Sequence, residues 1–253
     1  MDNRRAYRVQ DFQVNRLILS SSPRGALEEC AHAPQCAAAI GYGNPVGTTN
    51  TANLMNTGMN SFEYANIGTQ TILAPVFGAN GYNIAFDNTN AEGVEITRGI
   101  TAQSTSAYTV GTDRMFVEVT LKPSDVSGLG ELAVGFRKTQ AYQLAIDNYT
   151  DMAVLNVQAG TINLETILNN AATTTTDTGQ TVADNTAVTL RVEVYSDGTC
   201  KYYVDGVQVL ATNTFTFDSG DVLIPFIHFV NASDVCDTLY WTYWKDGLLD
   251  KEK

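Results

Sequence analysis

Carboxylates, histidines, cysteines and one Asx cluster are the side chains of this 253-residue chain whose types could support chemistry. Glycoside cleavage needs two facing carboxylates, about 5–5.5 Å apart for a nucleophile and an acid, or about 6.5–9.5 Å apart across a water. Glu118 is the lone acid of its run, and Glu193 lies between Val192 and Val194, where strand alternation alone accounts for it. His228, within Phe226-Ile227-His228-Phe229, would need an aligned acid and nucleophile to act as a base. The sequence places none beside it, and a hydrogen-bonded strand histidine is expected; His32 has no evident partner. Cys30 and Cys36 bracket His32 at a spacing that fits no common zinc pattern, while Cys200 and Cys236 lie far away in strand-like sequence. Isolated thiols are the default, with a Cys30–Cys36 disulfide as the alternative in an oxidising compartment. The segment Asp147-Asn148-Tyr149-Thr150-Asp151 offers oxygen ligands of the kind calcium requires. The same residues satisfy their own backbone in an ordinary turn, which is the expectation here. No catalytic residue, metal or cofactor is therefore expected.

The elements that must position these residues are strands. Leu190, Val192 and Val194 alternate with polar residues, the period of a half-buried strand. Asp197-Gly198 and Asp205-Gly206 follow in turn positions, and Asp-Gly between alternating runs is a strong hairpin signal because such turns need positive φ. Val188–Ile227 thus reads as an antiparallel meander, which excludes a nucleotide-binding crossover. Further strands are expected at 83–86, 93–99, 105–108, 115–122, 131–138, 143–148, 153–159, 161–167, 214–218, 221–229 and 235–245, with 172–187 a polar loop. Short strands with frequent turns predict an all-β sandwich or jelly roll. Residues 1–80 are rich in Gly, Asn, Thr and Ala and are read as an N-terminal arm and irregular docking segment. They hold one short helix broken at Pro34, a turn-rich stretch at 41–60, a candidate strand at 69–77 and an edge of the main domain. The jelly roll is assigned to 81–253.

Charge locates the candidate binding residues. The chain carries −12, which argues against a general affinity for nucleic acid. Residues 1–24 hold Arg4, Arg5, Arg8, Arg16 and Arg24 against Asp2 and Asp11, a net +3, which leaves −15 on the remainder. A basic leader on an acidic body predicts docking to an acidic surface, with Phe12 and Leu17 adding apolar contact. The cluster Tyr240-Trp241-Thr242-Tyr243-Trp244 is the second candidate surface. Strict alternation puts Trp241 and Trp244 on opposite faces, so one aromatic face should stay exposed for a partner. No apolar run approaches a membrane span or a signal core, so a soluble protein made in the cytoplasm, with no membrane partner, is expected.

The order of these signals carries a resemblance. Phe116-Val-Glu-Val-Thr, Leu132-Ala-Val-Gly-Phe-Arg, Thr189-Leu-Arg-Val-Glu-Val with Asp197-Gly198, Tyr203-Val-Asp-Gly-Val, Leu223-Ile-Pro-Phe and Leu239-Tyr-Trp resemble the concanavalin A-like jelly roll of lectin, laminin-G and glucanase domains. The tract from Ala91-Glu-Gly-Val-Glu-Ile through Gly135-Phe-Arg looks like structural proteins of tailed bacteriophages. That resemblance, which covers about residues 80–245, implies a non-enzymatic virion protein that decorates and cements the capsid surface. Its partners would be the major capsid protein and sister copies in a dimer or trimer, with the arm as the gripping element. The alternative implied by the same fold is a carbohydrate-binding module or tail-associated adhesin, with a glycan as ligand.

Overall fold

A computed structural model describes the backbone of residues 45–46, 53–57, 60–68, 76–78, 81–84, 89–98 and 107–249, and the side chains of residues 65–68, 83–84, 89–97 and 107–249. Two antiparallel sheets pack face to face. The larger sheet runs β1 (Pro45–Val46), β2 (Asn53–Thr57), β3 (Asn60–Ile67), β6 (Gly93–Arg98), β16 (Val222–Asn231), β9 (Leu129–Lys138), β10 (Met152–Gln158), β11 (Thr161–Ile167), β12 (Thr174–Thr181), with β7 (Tyr108–Thr109) pairing to β16. The smaller runs β15 (Val207–Val209), β14 (Cys200–Val204), β13 (Val188–Val194), β8 (Met115–Pro123), β17 (Leu239–Leu248), β5 (Gly81–Asn83), β4 (Val76–Gly78). Among the described strands every pairing is antiparallel, and the chain changes sheet seven times, between β3 and β4, β5 and β6, β7 and β8, β8 and β9, β12 and β13, β15 and β16, and β16 and β17. A 3₁₀ turn, Ile146–Asn148, lies between β9 and β10.

Alternation explains the core. Val117, Val119 and Leu121 of β8 and Leu190, Val192 and Val194 of β13 face Leu132, Val134 and Phe136 of β9 and Leu155 and Val157 of β10 across the sheets. The meander forms over β13, β14 and β15 but does not run on to Ile227, because β16 crosses to the larger sheet. Asp205 and Gly206 both take positive φ, 49° and 78°, in a two-residue turn that pairs Val204 with Val207. Gly198 takes φ 85°, and Asp197 accepts from the Thr199 amide and hydroxyl.

Three expectations change. Residues 143–148 are not a strand; Ile146 and Tyr149 sit three apart across the 3₁₀ turn and drop into a second apolar cluster on the outer side of the large sheet, with Ala133, Met152, Val154, Ile167 and Phe226. Residues 214–218 make only an isolated bridge, Thr199 to Thr216. The polar stretch 172–187 contains β12, an exposed edge strand built largely from threonine, whose β-branched side chain suits an extended backbone. Strands β2, β3 and β4 lie before residue 81 and join the two sheets, so sandwich strands occur on both sides of the 80/81 division.

Candidate functional site

The end of β9, the start of β10 and the end of β11 converge on an open cleft of about 480 Å³ lined by Lys138, Thr139, Gln140, Thr150, Asp151, Asn169 and Asn170. Asn169 and Asn170 both hold positive φ, 52° and 60°, a conformation that asparagine tolerates better than most residues. Asn169 donates its backbone N–H to Asp151 Oδ1 at 2.8 Å and its side-chain amide to Asp218 Oδ2 at 2.8 Å. Gln140 Oε1 accepts from the Thr150 amide at 3.1 Å and the Thr150 hydroxyl at 2.8 Å. Lys138 Nζ stands between Asp221 Oδ1, at 2.5 Å, and Asp151 Oδ2, at 3.5 Å. The hydrogen bond to Asp221, reinforced by the charge of Asp151, raises the Lys138 ammonium above its ordinary pKa, so it stays charged. The carboxamide of Asn170 and the amide nitrogen of Gln140 make no hydrogen bond among the described residues and remain available.

A buried polar hub holds this rim in place. Arg137 and Glu95, both with fully buried side chains, pair at 2.6 Å on the outer face of the large sheet. Tyr149 donates its hydroxyl to the other Glu95 oxygen. The Arg137 guanidinium lies 4.6 Å from the Tyr149 ring centre and 5.6 Å from that of Phe226. Its Nη1 donates to the carbonyls of Lys138 and Gln140, both at 3.1 Å, and the Gln143 amide donates to the Tyr149 hydroxyl at 3.0 Å. The segment 138–150 is thereby fastened to the sheet beneath it. Burial, then the neighbouring Glu95 charge, pushes the Tyr149 phenol far above its usual pKa, so it is a permanent donor.

The Asx segment 147–151 is a turn rather than an ion cage. Asp147 accepts from the Thr173 hydroxyl at 2.5 Å, Tyr149 points into the second cluster, and Asp151 is neutralised by Lys138. Among the described residues no group of three or more His, Cys, Asp or Glu side chains is arranged to hold a metal ion, and no helix is long and apolar enough to cross a membrane. His228 is wholly buried on the outer face of the large sheet, with Nδ1 3.2 Å from Glu131 Oε2, but neither ring nitrogen makes a hydrogen bond among the described residues, contrary to the expectation of a bonded strand histidine. Glu193 faces outward on β13, held by Arg191 at 2.8 Å and by the hydroxyls of Tyr195 and Tyr203. Cys200 and Cys236 are free and buried.

The aromatic surface expected at 240–244 is corrected. A register shift between Trp241 and Tyr243 breaks the alternation of β17, and both Trp241 and Trp244 are fully buried in the inter-sheet core, 5.8 Å apart edge to face. Trp244 Nε1 donates to buried Asp246 at 2.7 Å, and Tyr108 donates to the other oxygen of that carboxylate at 2.6 Å. Neither tryptophan is available to a partner. Tyr240 and Tyr243 take the outer positions, both part-exposed. The arm residues Arg4, Arg5, Arg8, Phe12, Arg16, Leu17 and Arg24, like Cys30, His32 and Cys36, lie outside the described residues.

Comparison with known proteins bears on the fold. No family model matches the chain, and no curated protein matches it. Among solved structures, the carbohydrate recognition domain of Emp47p aligns with a TM-score of 0.51 at 15% identity, over 73% of this chain and 88% of that one. The potassium-bound form of the Emp46p carbohydrate recognition domain aligns with a TM-score of 0.50 at 10% identity, over 66% and 82%. The carbohydrate-binding module CBM66 from Bacillus subtilis aligns with a TM-score of 0.47 at 11% identity, over 73% and 94%. The two-sheet antiparallel architecture is thus a concanavalin A-like jelly roll.

Proposed function

We propose that this protein is a carbohydrate-binding jelly-roll module that holds a glycan, without chemical change, in the cleft between Lys138 and Asn170. The observation that carries this reading is the lining itself: amides, hydroxyls and a fixed carboxylate on a rigid rim. Sugar hydroxyls donate and accept, and a site of carboxamides and hydroxyls matches both roles. The likeness to carbohydrate recognition domains supports the same reading. Binding rather than cleavage follows from the charges, because Asp151 and Asp221 are both engaged by Lys138 and neither is placed as a proton donor. The ammonium of Lys138 already supplies the positive charge between these carboxylates, so binding should not require calcium. The gripping role expected of residues 1–24 on a capsid involves no residue of this cleft.

A glycan array probed in EDTA and again in calcium tests the proposal. The expected result is a restricted set of bound glycans, the same in both conditions, with binding weakened about tenfold by Asn169→Ala or by Gln140→Ala, the effect of one or two lost hydrogen bonds. Absence of glycan binding by a folded sample, or release of sugar ends from a polysaccharide, would overturn it.

A further inference from the structure

The charges around the cleft do not balance. Lys138 brings one ammonium to it, and three carboxylates, Asp151, Asp221 and Asp218, stand round that ammonium and its neighbour Asn169. Strand order puts them there. Lys138 ends β9, which lies between β10 and β16, and Asp151 and Asp221 are the residues just before those two strands. The Lys138 amide donates to the Asp151 carbonyl at 3.0 Å, and the Thr139 amide to the Val222 carbonyl at 2.9 Å. The turn that leads into β16 is closed by the Asp221 amide on the Asp218 carbonyl at 3.1 Å, which leaves the Asp218 side chain beside Asn169.

The side chains of Asp151 and Asp221 are only 2% and 8% exposed, and one ammonium serves both. Asp221 gives Oδ1 to Lys138, but its buried Oδ2 makes no hydrogen bond among the described residues. Asp218 is exposed at the rim. Its Oδ2 accepts from the Asn169 amide, and its Oδ1 has no partner among the described residues. One positive charge against three negative leaves the group at −2. Arg137, the preceding residue of β9, is paired with Glu95 and adds no net charge.

We infer that the cleft selects a sugar bearing a free amine, in its ammonium form, over neutral and acidic sugars; this rests on the glycan-binding role proposed above. The ammonium donates to Asp218 Oδ1, and sugar hydroxyls accept from the amides of Gln140 and Asn170. Asp218 is then the residue that sets specificity. A hydrogen bond between an ammonium and a carboxylate is charge-assisted, whereas the neutral N–H of an N-acetylated sugar meets the same oxygen without the opposite charge. A sugar acid brings its carboxylate to a group already at −2, and like charges repel. A polyamine satisfies the carboxylates but has no acceptor for the two amides.

The test is calorimetric titration of the full chain with the tetramers of glucosamine, N-acetylglucosamine and galacturonic acid, and with spermine. It is run at about pH 5.5, above the ordinary carboxylate range and below that of an amine. The glucosamine tetramer should bind about three- to fivefold more tightly than the N-acetylated one, the scale of one exposed charge pair, with the galacturonate tetramer weakest. Asp218→Asn, which keeps an oxygen for Asn169, should erase that preference. Asp177→Asn, which removes the same charge from exposed β12 outside the cleft, should not. Equal or tighter binding of the N-acetylated tetramer, spermine binding as tightly as the glucosamine tetramer, or a preference that survives Asp218→Asn would each overturn the inference. Binding of other glycans on the array with none of the tetramers bound would overturn the inference and leave the glycan-binding role standing, whereas a folded sample that binds no glycan in either experiment would overturn both.

Discussion

Glu95 is wholly buried at its side chain and has two donors, Arg137 and Tyr149, neither of which is close to it in sequence. Removing one member of a buried ion pair leaves the other charge uncompensated, which costs about 3–5 kcal/mol. Arg137→Met should therefore lower stability by that amount in urea denaturation and loosen the 138–150 rim, whereas Tyr149→Phe, which leaves the ion pair intact, should cost less. Equal losses from the two variants would contradict the hub. Glu165 offers a pH-dependent case. Burial raises its carboxyl above the ordinary value, opposed by the hydrogen bond from Asn156 at 3.0 Å. The folded state thus favours the proton, and ionised Glu165 opposes folding above its raised pKa; this opposition fades as pH falls toward the unfolded value near 4.5. Glu165→Gln should raise the urea midpoint at pH 7 and lose that gain near pH 4, and a gain that persists at pH 4 would contradict the assignment. None of these partnerships was legible in the sequence: Glu95 and Arg137 lie on β6 and β9, distant in the chain and bridged across β16, Tyr149 lies outside the strands, and Asn156 meets Glu165 only through the register of the β10–β11 hairpin. The Asp147–Asp151 segment was legible as a turn, closed by the local backbone bonds of Asn148 to Ala145 and Tyr149 to Ile146, but its carboxylates bond to Thr173, Asn169 and Lys138 rather than to their own backbone.

At the scale of elements, the two Asp-Gly turns of the meander make different demands. Gly206 has φ 78° and open space where a Cβ would stand, so Gly206→Ala should cost only the left-handed strain, about 1–2 kcal/mol. Gly198 has φ 85°, and a Cβ there would fall 2.2 Å from the Phe217 carbonyl oxygen, so Gly198→Ala should cost clearly more. Denaturation midpoints of the pair check this, and similar losses would contradict the close approach of 215–217 to the turn. The meander was readable because alternation and turn chemistry agree over a short span. The tryptophans were misplaced because a one-residue irregularity in β17 reverses side-chain parity, and nothing in Tyr240–Trp244 announces it. Strand β12 was missed because it buries little apolar surface and so lacks the hydrophobic period that marks a strand. The strand expected at 143–148 yielded to a tertiary demand, the filling of the outer cluster by Ile146 and Tyr149.

On the scale of the whole molecule, a rigid sandwich carries a cleft rich in amides and hydroxyls at one end of the larger sheet, which suits a glycan of hydroxyls. Cleft binding of a neutral glycan should change little between about 0.05 and 0.3 M salt, since it rests on short hydrogen bonds. The central claim is that the cleft itself holds the sugar, and ¹H–¹⁵N NMR of side-chain amides during titration with an array-selected glycan addresses it most directly. The account predicts saturable shifts at Gln140, Asn169 and Asn170, with Asn156 and Asn163 on the sheet face unmoved. Saturation of binding with the three cleft amides unshifted would contradict it.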